Sequence, residues 1–226
     1  SDHGDYLGDH WLGEKDLFHD CSAKIPLIIR DPSDQADGTR GTKCDALVES
    51  IDLAPTFLDV IGAEARPHIL EGASLLPFLR GSTPAEWRNY VISENDYGIS
   101  PGNAALAEQV DDPRQYMVAN TRWKYIYAEG FRPMLFDLEN DPNELTDLGT
   151  SAEHEAIRQE MFEALSAWAR RLSQRTTMSP TDVIAERKRS PARGILLGAL
   201  DETEMSDAQR AFYGKRKGPE FKNEPE

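Results

Sequence analysis

Apolar positions along the 226-residue chain fall into two spacings, and the change between them divides the sequence. The opening stretch, Ser1 to about Lys24, is rich in Asp, Gly and His, has no clean period and reads as a loop. Ile25-Pro26-Leu27-Ile28-Ile29-Arg30 is a short, β-branched apolar run of the kind found in strands buried on both faces. Asp31 to Lys43 is polar, carries Pro32, Gly38 and Gly41, and reads as a surface loop. Leu53, Thr56, Phe57, Val60 and Ile61 then recur at helical spacing, with Asp52 as N-cap and Gly62 as stop. Pro55 falls in the first turn, where its missing N–H costs nothing. A helix after a buried strand is what one end of a parallel α/β sheet supplies.

After Gly62 the period changes. Tyr90-Val91-Ile92, Tyr116-Met117-Val118, Lys124 to Tyr127 and Leu135-Phe136 are short β-type stretches, separated by turn-rich segments such as Asp141-Pro142-Asn143. They predict a small antiparallel sheet. Thr150 and Glu153 have capping-box spacing, and Ile157, Met161, Leu165, Trp168 and Leu172 then line one helix face. A helix laid over a small sheet makes an α+β subdomain. Trp123 and Tyr125 are expected in its core, and Asp137, Asp141 and Glu144 as turn carboxylates. Beyond Arg175 the chain is polar, relieved by Ile195-Leu196-Leu197 and Phe212-Tyr213.

Composition narrows the function classes. With 39% hydrophobic and 29% charged residues the chain is globular rather than disordered. No apolar run approaches the ~20 residues needed to cross a bilayer, so no membrane partner is expected. Net charge is −15, and from Arg175 onward ten Lys/Arg meet nine Asp/Glu, so residues 1–174 carry −16. That acidic body would repel a phosphate backbone, which argues against nucleic acid. A small anionic substrate is acceptable if a divalent cation reverses the local potential. Two cysteines, Cys21 and Cys44, make no disulfide framework and fit a reducing, cytoplasmic setting. Both are expected as small buried apolar residues.

The chemistry concentrates in Ser1-Asp2-His3-Gly4-Asp5-Tyr6-Leu7-Gly8-Asp9-His10-Trp11-Leu12-Gly13-Glu14-Lys15. Asp2 and His3 offer a hard oxygen and a borderline nitrogen to one divalent ion. Gly4 lets the backbone turn tightly after them. Lys15 carries a compact charge suited to an anionic oxygen. On these residues alone, an Asp-His pair is more often a cap or surface hydrogen bond, and a lone Lys is usually solvated. His19, His68 and His154 lack partners at ligand spacing and read as structural or surface residues.

The string resembles the Ser-Asp-His-Gly…Leu-Gly-x-His…Lys signature of sulfatases and phosphonate monoester hydrolases in the alkaline phosphatase superfamily. Further phrases of that family follow in order: Ile25 to Arg30, Asp52-Leu53-Ala54-Pro55-Thr56, Gly72-Ala73-Ser74-Leu75-Leu76-Pro77, Thr121-Arg122-Trp123-Lys124-Tyr125-Ile126, and Leu135-Phe136-Asp137-Leu138-Glu139-Asn140-Asp141-Pro142. Motif plus context is the test, and five ordered matches meet it.

The resemblance implies an α/β fold: the end of an alkaline-phosphatase-like α/β sandwich over 1–80, then a small α+β subdomain over 81–175. Residues 176–226 would form an extended tail, read as an oligomerisation arm of a dimer or tetramer. It implies that Asp2 and His3 complete the shell of one divalent metal ion, calcium or manganese, and that Lys15 binds the oxygens of a small anionic ester. The nucleophile would be a formylglycine made from the Cys of a Cys-x-Pro-x-Arg motif. Neither Cys21 nor Cys44 stands in such a motif, so the nucleophile and the remaining ligands are expected from an N-terminal part of the enzyme preceding Ser1. His10 matches a family His and is expected to brace the loop by a hydrogen bond. The wording Gly8-Asp9-His10-Trp11-Leu12 and the tail favour hydrolysis of phosphonate monoesters or phosphodiesters, with arylsulfatase as the alternative. A phosphotransferase or mutase of the superfamily would bring more ligands in this half. As a chain by itself it would be inactive, a structural and assembly module.

Overall fold

The computed structural model describes residues 1–97, 113–171, 179–189 and 206–207. The chain divides into two compact units, 1–177 and 178–226.

The first unit is organised by a four-stranded antiparallel sheet of β1 (Val91–Asp96), β2 (Arg114–Ala119), β3 (Trp123–Ala128) and β4 (Met134–Asp137), in the order β1-β2-β3-β4. The register pairs Met117 with Ile126 and Lys124 with Phe136. Both faces of the sheet are apolar. On one, Val118, Tyr125 and Leu135 pack against Met161 and Leu165 of the helix Glu155–Ala169, with Trp123, Ile157 and Trp168 at the margin. On the other, Met117, Ala119, Ile126 and Phe136 pack against Phe18, next to the opening loop. The expected strands, the antiparallel pairing and the helix face are all present; Leu172 lies outside the described residues. Leu135 is fully buried, and truncating it to Ala would cost about 2–5 kcal/mol.

Three shorter α-helices are found among the described residues of the rest of this unit. In chain order the helices are α1 (Asp20–Ala23), α2 (Leu53–Val60), α3 (Leu76–Leu79) and α4, the sheet-packed helix. Gly62, at φ 69°, ends α2 as expected, its N–H donating to the Asp59 carbonyl at 3.1 Å. Asp52 does not cap α2. Its carboxylate instead accepts the backbone N–H groups of Glu49 at 2.8 Å and Ala73 at 2.9 Å and pairs with Arg88, 36 residues on.

Other local readings are corrected. Ile25 to Arg30 forms no strand, and Ile28 is 94% exposed, because no neighbouring strand among the described residues offers ladder partners. Phe57, Val60 and Ile61 are likewise exposed on α2. Thr150 and Glu153 form no capping box; a 3₁₀ turn over Ala152–His154 leads into α4, and Ser151 hydrogen-bonds the His154 ring at 2.8 Å. Cys44 is exposed and Cys21 half-buried, and both are free thiols.

In the second unit a helix, α5 (Pro180–Arg189), opens on a reciprocal cap: the Asp182 N–H donates to Ser179 Oγ at 3.1 Å, and the Ser179 N–H to Asp182 Oδ2 at 3.2 Å. Ile195-Leu196-Leu197 and Phe212-Tyr213 lie outside the described residues. No helix of the described residues is long and apolar enough to cross a membrane.

Candidate metal and substrate site

Asp2 and His3 lie side by side at the start of the chain. His3 Nε2 stands 4.0 Å from Asp2 Oδ1, with the Asp2 side chain 90% and the His3 side chain 42% exposed. His3 Nδ1 is 2.6 Å from the Gly4 carbonyl. A carbonyl only accepts, so Nδ1 carries a proton, and Nε2, on the Asp2 side, offers its lone pair to a metal when the ring is neutral. This is the arrangement in which a metal-binding imidazole is usually held. The Asp2 carboxyl is held below its usual range, first by its own backbone N–H and then by the neighbouring His3, with Lys15 adding to the pull. Lys15, thirteen positions after Asp2, is exposed and acts on Asp2 through space.

The loop closes on itself to bring these groups together. Tyr6 N–H donates to the Glu14 carbonyl at 2.8 Å and Gly8 N–H to that of Leu12 at 2.9 Å. Gly4 acts by close approach rather than by a turn: a Cβ there would stand 2.0 Å from the Cys21 carbonyl oxygen. The Gly4 and Asp5 amides donate to the Ser22 and Cys21 carbonyls at 2.8 and 3.0 Å, tying the loop to α1. Tyr6, 1% exposed, places its hydroxyl 2.8 Å from His19 Nδ1. The His10 ring stacks on His19 at 4.0 Å, so His10 braces the loop by stacking rather than by a hydrogen bond.

Behind α1 sits a group that sequence reasoning missed. Lys124 of β3, 2% exposed, ion-pairs with Asp20 and with Glu144 Oε1 at 2.7 Å, and the Asp20 N–H donates to Glu144 Oε2 at 2.5 Å. Glu144 is thus an internal partner of Lys124, whereas Asp137 and Asp141 are turn carboxylates as expected. Burial opposes the charge on Asp20, but the Lys124 bond and charge outweigh it and lower its pKa. The signal lay in parity: Lys124 shares a sheet face with Ile126 and Phe136, and a charge on an apolar face requires a buried partner.

Asp2 and His3 supply two donors, and no cluster of three or more His, Cys, Asp or Glu suited to a metal occurs among the described residues. The pair fits part of a mixed oxygen and nitrogen shell for a hard divalent ion. Leu7 and Trp11 of the same loop, and Ile28 further along the chain, are almost fully exposed.

An Asp/His/Lys loop on one face of a small antiparallel sheet, with a helix on the other, makes a mixed α/β domain. Residues 8–171 match the family model described as N-sulphoglucosamine sulphohydrolase, C-terminal, and the chain belongs to this family of sulfatase C-terminal domains. It is 33% identical over 172 residues to the multifunctional alkaline phosphatase superfamily protein PehA of Trinickia caryophylli, covering 74% of this chain and 33% of that one. It is 33% identical to an arylsulfatase of Clostridium perfringens, over 68% of this chain and 29% of the other. The phosphonate monoester hydrolase of Agrobacterium radiobacter superposes with a TM-score of 0.65 at 32% identity, covering 73% of this chain and 33% of that structure. The chain therefore spans about a third of the length of these relatives.

Proposed function

We propose that the chain is the C-terminal part of a metal-dependent hydrolase of phosphonate monoesters or phosphodiesters, to which it contributes two metal ligands and one substrate-binding cation. The observation that carries this is the convergence of His3 Nε2 and Asp2 Oδ1, with Nδ1 engaged by the Gly4 carbonyl. Asp2 and His3 would hold one divalent ion, calcium or manganese, which when bound supplies Lewis-acid stabilisation of the ester oxygens. The Asp2 carboxylate is ionised at neutral pH as any exposed Asp is, which is the form a ligand must take. The Lys15 ammonium binds a non-bridging oxygen of the anionic ester and offsets the charge that builds there in the transition state. The formylglycine nucleophile and the other ligands belong, on this reading, to an N-terminal part of the same enzyme. Residues 176–226 are proposed to form an arm that joins subunits of a dimer or tetramer.

The likeness to phosphonate monoester hydrolase favours the phosphonate substrate. Arylsulfatase is the second reading, favoured by the sulphohydrolase family match and the Clostridium relative. The test is the kcat/KM of the intact protein on an aryl phosphonate monoester and on the matching aryl sulfate. A higher value on the phosphonate supports the first reading, a higher value on the sulfate the second, and no hydrolysis of either contradicts both.

A further inference from the structure

Five non-glycine residues of the candidate-site loop, Leu7, His10, Trp11, Glu14 and Asp16, have φ between 46° and 103°. Backbone of this kind persists only where its surroundings over-determine it. At its Asp2-His3 end the loop is attached to α1 through the Gly4 and Asp5 amides, while its far end is tied to β1 by the Asn95 side-chain amide, which donates to the Asp16 carbonyl at 2.8 Å. Yet α1 is a four-residue turn, far too short to hold its own shape. Its anchor comes from the other end of the unit. Glu144 accepts the first amide of α1 at 2.5 Å, and Lys124 pairs with both the Asp20 carboxylate and Glu144. These contacts join residues 104 and 124 positions apart.

A buried ion cluster is a poor device for stability alone, because desolvation offsets most of the attraction, and an apolar side chain of similar volume often serves as well. Its use is directional: a Lys fixed between two carboxylates admits one placement of α1, where an apolar contact would admit many. We propose that Lys124, acting through Asp20 and Glu144, is a positioning residue for the candidate metal site. The sheet fixes α1, α1 fixes Gly4 and Asp5, and these fix the peptide that carries Asp2 and His3. The proposal rests on the reading of Asp2 and His3 as ligands.

The test compares Lys124→Met with the wild type in the intact protein, by amide hydrogen exchange, Mn²⁺ titration and steady-state kinetics. We expect the Gly4 and Asp5 amides to lose protection at least ~10-fold while Met117 and Ile126 in the sheet keep theirs. Mn²⁺ affinity should fall ~10–100-fold, as for other groups that orient a ligand from behind, and kcat should fall with KM little changed. If Lys124→Met does not fold, Glu144→Gln keeps an acceptor for the Asp20 amide, removes one charge, and should show the same pattern at smaller amplitude. Unchanged protection at Gly4 and Asp5 with unchanged Mn²⁺ affinity overturns the proposal. So does protection lost equally in the sheet, which would make Lys124 a general core element. Loss confined to Gly4 and Asp5, in a protein whose wild type binds no Mn²⁺ and hydrolyses neither ester, would keep the positioning device and overturn the proposed function.

Discussion

The Tyr6 hydroxyl and His19 Nδ1 lie 2.8 Å apart in the interior between the candidate-site loop and the sheet. Burial pushes the His19 pKa down to about 4, with the charges of His10 and Lys124 adding to the shift and Asp20 opposing it. In the unfolded chain His19 titrates near 6.5. Above that value it is neutral in both states. Between 6.5 and about 4 the unfolded chain takes up a proton that the folded protein refuses, so stability falls as pH falls, by at most about 3 kcal/mol from this group. Urea unfolding at about pH 7.5 and about pH 4.5 should show a larger acid loss for the wild type than for His19→Gln. Parallel losses would mean that His19 is not the group responsible.

Arg88 grips Asp52 with both terminal nitrogens and reaches Glu49 Oε2 at 3.3 Å, while Asp52 is 0% exposed. Burial opposes the Asp52 charge, but the Arg88 bond and the two backbone donors overcome it and lower its pKa. Arg88→Met leaves the buried Asp52 and the half-buried Glu49 without their cation and should cost about 3–5 kcal/mol. Chemical denaturation measures it, and a loss under about 1 kcal/mol would place this pair among ordinary surface salt bridges.

Much of the sheet was legible because its pattern is local. Val118, Tyr125 and Leu135 alternate with Met117, Ile126 and Phe136, and each set has its own cover. The readings that missed were those decided by distant partners. Ile25 to Arg30 has strand composition, but composition supplies no neighbour to pair with. Asp52 stands where an N-cap would, yet Arg88 claims both its oxygens. In the site, Asp2, His3 and Lys15 were visible as chemistry in one loop. The support behind them was not, because Lys124, Asp20 and Glu144 meet only once the sheet is folded.

Lys15 is a point charge on a flexible stem, and its proposed task is to offset charge in the transition state. Lys15→Ala in the intact protein should lower kcat/KM by roughly 10²-fold or more with the fold unchanged. Lys15→Arg should rescue poorly, since a planar fork cannot reproduce a single compact contact. A rate near that of the wild type for Lys15→Ala would return this residue to the solvated surface.

The metal content of Asp2→Ala in the intact protein is the most direct measurement of all. Asp2 sits 4.0 Å from the free nitrogen of His3 and makes no contribution to the core, so its removal should leave the fold intact. Elemental analysis after dialysis should find one divalent ion per wild-type chain and most of it gone from Asp2→Ala. Full occupancy in Asp2→Ala would contradict the assignment of Asp2 and His3 as the metal-binding half of this site.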